Sequence, residues 1–96
     1  MAQKLMIVKV VFEYFIEHFR KGKDEPYHSY NENYTKRKAF DQNKHYPDII
    51  EDCRKELESE FTFDSTDKDD QGNEFKCRIA YDIPRLISYE ILAEED

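Results

Sequence analysis

The chain has 96 residues, with 22 acidic and 15 basic side chains and a formal charge of −7. That length allows one domain, residues 1–96, and excludes two. No apolar run reaches the ~18 residues of a membrane span, two glycines cannot line a phosphate loop, and the overall sign excludes a generally basic nucleic-acid module. The charged fraction of 39% is typical of disorder, but seven Tyr and seven Phe supply a core that disordered chains lack.

Met1 to Lys9 lacks the uninterrupted apolar stretch and small-residue cleavage site of a secretory signal. A cytoplasmic protein is therefore expected. Cys53 and Cys77 then read as free, buried, small hydrophobes in place of a disulfide.

Residues 4–21 fit two templates. As a strand, Met6, Val8, Val10, Phe12, Tyr14 and Ile16 make an unbroken apolar face. As a helix, Lys9, Glu13, Glu17 and Lys21 align at i, i+4 spacing. The β-branched and aromatic content favours the strand; a strand that passes into a helix is an intermediate form. The even face is more apolar than a small monomer leaves uncovered. This segment and its Tyr-rich neighbour therefore also suit a homodimer edge.

Lys21 to Pro26 is a turn signal. Beyond it, residues 27–40 read as a second, exposed strand paired with the first, or as a long ordered loop. Residues 47–60 are the clearest helix. Pro47 suits the first helical position, Asp48, Glu51 and Asp52 favour the positive end of the dipole, and Ile49, Ile50, Cys53, Leu57 and Phe61 form an apolar stripe.

A hairpin is expected next, from Glu60–Asp64 and Glu74–Asp82, around a polar loop over 65–73. Phe75, Cys77, Ile79 and Tyr81 alternate onto one face. Pro84 reads as a break, and 85–92 as a third strand with Ile87, Tyr89 and Ile91 inward, or as a terminal helix. The fold class is α+β: a small antiparallel sheet of about four or five strands packed on one main helix.

Asp67-Lys68-Asp69-Asp70-Gln71-Gly72 resembles the first half of an EF-hand loop, but the twelfth position is Arg78 where calcium needs a bidentate Glu. It reads as a solvated hairpin loop. His18, His28, His45 and the two cysteines show no short ligand spacing, so neither metal nor cofactor is expected. No serine, cysteine or carboxylate pair sits in a catalytic context, which points away from an enzyme.

Two binding surfaces are expected. Residues 1–47 carry nine bases and six acids, a balance of +3; residues 48–96 carry six and sixteen, a balance of −10. Glu51, Asp52, Glu58, Asp67, Asp69 and Asp70 would form an acidic face that docks on a basic surface of a partner protein. By analogy of size and charge alone, that is the working mode of nuclease inhibitors, immunity and antitoxin proteins, and phage anti-defence proteins, whose carboxylates can mimic nucleic acid. The alternative is a nucleic-acid or nucleoprotein accessory module. It would use Tyr27, Tyr30 and Tyr34 to stack bases and Lys36, Arg37 and Lys38 to hold phosphates.

Overall fold

The computed structural model describes residues 4–96; the part of the leader reading that rests on residues 1–3 lies outside it. The elements are β1 (Leu5–Arg20), β2 (Pro26–Asp41), α1 (Tyr46–Ser59), β3 (Asp64–Lys68) and β4 (Glu74–Glu94). They form an α+β fold: one antiparallel sheet in the order β2-β1-β4-β3, with α1 on one face. Its extents are 62 × 19 × 18 Å.

The two-template segment resolves as strand from Leu5 to Arg20. Every even position from Met6 to Ile16 is buried, and Leu5, Ile7 and Phe15 on the odd side are exposed. The charge ladder that suggested a helix survives in another form. A spacing of four is even, so Lys9, Glu13 and Glu17 share a face in a strand as well. They stand roughly 13 Å apart there, too far to pair along the strand. Glu13 pairs across it instead, with Arg85 at 2.8 Å.

β2 runs beside β1 in register from Leu5↔Asp41 to His18↔His28. α1 lies on the even face and buries Ile49, Cys53 and Leu57 against Met6, Val8, Val10, Phe12, Tyr14, Ile16 and Phe40. The even face of residues 6–16 is thus core, and both edges of β1 are hydrogen-bonded within the chain. Pro47 lies in the first turn of α1, as its fixed φ favours. Both cysteines are free and buried.

The second half differs from expectation in two places. β3 is Asp64–Lys68, so it keeps only Asp64 of the expected strand and runs into the expected loop, and residues 61–63 are not strand. Every residue of β3 is exposed, so no apolar pattern announces it. What holds it is the backbone ladder with Glu74–Arg78. Phe61 instead continues the helix stripe, stacking on Tyr81 at 4.1 Å and packing edge-on to Tyr14 at 5.0 Å.

Nor does Pro84 end a strand. β4 runs through it to Glu94, so the expected third strand over 85–92 is the far half of β4. The chain absorbs the proline in a register shift between Glu13 and Phe15 on β1, with Ile83 at φ 49°. Pro is tolerated because nothing pairs with the outer edge of β4 there; β3 reaches only as far as Arg78. Two further shifts make Ile87 and Leu92 extra residues relative to β1. Tyr89, opposite Val10, packs against the core as expected; Ile91, opposite Val8, is 44% exposed, and Ile87 is an exposed bulge residue.

Candidate functional site: two charged surfaces and an open sheet face

Four of the five acids of α1, all but Asp48, are held by cations from their own surroundings. Arg54 donates to Glu51 and, at 2.6 Å, to Glu58. Lys44 bonds Asp52. Lys38 lies 2.6 Å and Lys36 3.5 Å from Glu56. The partners lower the carboxyl pKa values of Glu51, Asp52 and Glu56, chiefly by hydrogen bonds from Arg54, Lys44 and Lys38. Glu58 also accepts a 3.1 Å hydrogen bond from the Tyr14 hydroxyl. Burial, and then the Glu58 charge, drive the Tyr14 phenol well above its ordinary value.

The hairpin acids lie elsewhere. Glu58 sits by Tyr14, and Arg20 aligns with Cys77, three residues after Glu74. Asp69 and Asp70 therefore lie at least nine residue steps from Tyr14 along the strands, roughly 30 Å. Asp67 accepts from the Lys68 amide at 2.8 Å and from the Tyr27 hydroxyl at 2.9 Å, which lower its pKa. Asp69 closes the turn, its Oδ1 accepting from the Gln71 and Asn73 amides at 2.9 Å. Gly72 takes the positive φ of 81° that the turn requires. Among the described residues, no cation lies within ion-pairing distance of Asp67, Asp69 or Asp70, and no group of three or more His, Cys, Asp or Glu could hold a metal. The six acids thus form two separate groups, one neutralised and one free.

The Tyr/Lys segment is divided between the sheet faces. Tyr30, Tyr34, Lys36 and Lys38 lie opposite Ile16, Phe12, Val10 and Val8 on the helix side; Arg37 lies opposite Lys9 on the other. Tyr34 packs on Phe61 at 4.9 Å and edge-on to Tyr14 at 5.8 Å, and burial pushes its phenol up to about 12. Tyr30 shares a 2.9 Å hydrogen bond with the His18 ring. Tyr27 meets Phe75 at 5.3 Å. Tyr30 and Tyr34 pack against the core whereas Tyr27 is exposed, and two of the three cations are engaged by Glu56.

Among the described residues, no element covers the face opposite α1. Residues directly across a ladder share a face, so its rows read from the register. One row is Ala39, Ile7 and Ala93. The next is Arg37, Lys9 and Glu90, then Thr35, Val11 and Ser88, then Asn33, Glu13 and Arg85, and last Asn31, Phe15 and Asp82. The two alanines leave a hollow of about 220 Å³ beside Leu5 and Ile7, flanked by Glu94 and Glu95. Sequence reasoning assigned no role to this face. The signal was the alternation of Leu5, Ile7, Val11 and Phe15 with charges on the odd positions of β1. Among the described residues, no helix is long and apolar enough to cross a membrane.

No protein-family model matches the chain, and neither a curated protein nor a solved structure does.

Proposed function

We propose that the protein is a small, non-enzymatic interaction protein that inhibits or neutralises a partner by docking acidic side chains on a basic site, of the kind that holds nucleic acid. The observation that carries this reading is the division of its acids. The carboxylates Glu51, Asp52, Glu56 and Glu58 of α1 are matched by internal cations, and those of the hairpin are left free. The active surface is then Asp67, Asp69 and Asp70. The helix acids Glu51, Asp52 and Glu58 contribute through a surface already partly offset by Arg54 and Lys44.

Charge density limits the form of the mimicry. Seven net charges over 62 Å amount to roughly one per 9 Å, against about one per 1.7 Å of duplex. That supports a local acidic patch in place of a rod that imitates a whole duplex. Local patches steer association more than they add affinity.

The test is capture from the native cell on immobilised protein. Wild type should retain a basic partner that elutes as salt rises, and Asp67→Lys, Asp69→Lys and Asp70→Lys together should lose it. Equal retention by the triple variant, or binding indifferent to salt, would sink the proposal.

A further inference from the structure

The uncovered face of the sheet is complementary to itself. On β1 it reads Ile7, Lys9, Val11, Glu13 and Phe15. Reversed about Val11, apolar meets apolar and base meets acid. A two-fold axis through Val11, running across the strands between two stacked sheets, lays Lys9 of one copy over Glu13 of the other. The flanking strands follow the same rule. Glu90, in register with Lys9, falls over Arg85, in register with Glu13. On β2, Arg37 falls over neutral Asn33; on β4, Asp82 falls over Ala93, where it approaches the like charges of Glu94 and Glu95.

Shape agrees with charge. Phe15 is 37% exposed, a large side chain to leave in water. The operation brings it to the row of Ala39, Ile7 and Ala93, where the 220 Å³ hollow lies. Stacked sheets cross at about 30° because each is twisted. Four residues from the axis, that rotation shifts a side chain sideways by roughly 7 Å. The ring is thereby carried off Ile7 and over an alanine. Two residues from the axis the shift is roughly half that, within the reach of a Lys–Glu pair.

We propose that this face is the contact between two copies of the chain, stacked through the open side of β1 with Val11 on the two-fold axis. A single sheet with a helix on one side lacks the second apolar layer that domains ordinarily have, and a second copy supplies it. Five rows by three strands measure about 30 by 14 Å, on the order of 400 Å² per copy before side-chain relief. Two copies then bury about 800 Å² before that relief, below the standard size of specific interfaces, so the dimer is weak and concentration-dependent. Asp67, Asp69 and Asp70 lie beyond this area, so partner docking and dimerisation can each fail without the other.

Sedimentation equilibrium of the full chain tests it. Wild type should pass from monomer to dimer between micromolar and millimolar protein. Val11→Lys, which sets two ammonium groups on the axis, should weaken the dimer at least about tenfold with unchanged circular dichroism. The sharper test is charge exchange. Lys9→Glu alone and Glu13→Lys alone each oppose like charges and should be monomeric. Mixed, they restore both pairs and should form a heterodimer by native mass spectrometry. A wild type that is monomeric at about 1 mM, a dimer indifferent to Val11→Lys, or a mixture that stays monomeric would overturn the proposal.

Discussion

β1 carries two faces of different fate. On the even side six large side chains are buried under α1; on the odd side Leu5, Ile7 and Phe15 remain between 37% and 44% exposed. The sides differ in what lies between the apolar residues. The even side is unbroken from Met6 to Ile16, whereas Lys9, Glu13 and Glu17 interrupt the odd side. A helix that buried the odd face would desolvate three charges, whereas the even face offers α1 only apolar groups and one tyrosine with a partner. Interruption by charge, more than hydrophobicity, decides which face becomes core and which stays available for contact.

The largest test of this contrast is a pair of neighbouring substitutions. Val10→Asp puts an unpaired carboxylate in the core and should remove more than about 4 kcal/mol, most of the stability of such a domain. Val11→Asp, one residue away, should change stability by less than about 1 kcal/mol. Equal effects in urea titrations would break the comparison. On the helix side of the same core, Leu57→Ala should cost about 2–5 kcal/mol through lost burial and a cavity.

Tyr14 connects the core to the charged surface. Tyr14→Phe removes its hydrogen bond to Glu58 and should cost about 1 kcal/mol at pH 7. Its pH dependence is distinctive. The folded phenol titrates above the unfolded one, so above about pH 10 the unfolded chain releases a proton that the folded chain keeps. Stability from this group is full below pH 10 and falls as pH rises further. Tyr14→Phe should flatten that alkaline decline in urea midpoints.

Ile83 marks a third region, the outer side of β4, where the backbone departs from the ladder. A β-branched residue at φ 49° and 80% exposed bears strain without burial in return. Ile83→Asn should stabilise the chain by about 1 kcal/mol, since Asn tolerates that conformation at less cost. Thermal unfolding would show a raised midpoint.

The smallest effect belongs to the surface ion pairs. Glu51, Asp52 and Glu56 have lowered pKa values, so their contribution is present above the unfolded carboxylate range and lost as pH falls through the folded values. Solvent screens such pairs. Glu56→Gln should therefore shift the urea midpoint slightly at pH 7 and not at all near pH 2.

What the sequence determined by itself was local. Pro47 and the stripe Ile49, Cys53, Leu57 specified α1 because a helix turns every 3.6 residues. The alternation of Met6 to Ile16 specified a strand because β-branched side chains fit a pleat. The α+β class follows from those two periods. Three things were left to the tertiary structure. β3 has no apolar residue, and only the backbone of β4 makes Asp64–Lys68 a strand. β4 passes Pro84 because its outer edge needs no donor there. The −10 of the second half was legible as a number, but its meaning was not. Lys36, Lys38 and Lys44, from the first half, fold back onto the acids of α1, while the hairpin acids, like Glu90 and Glu94 of β4, have no ion-pair partner among the described residues. Composition counts charges along a chain; only the fold decides which of them face each other and which face a partner.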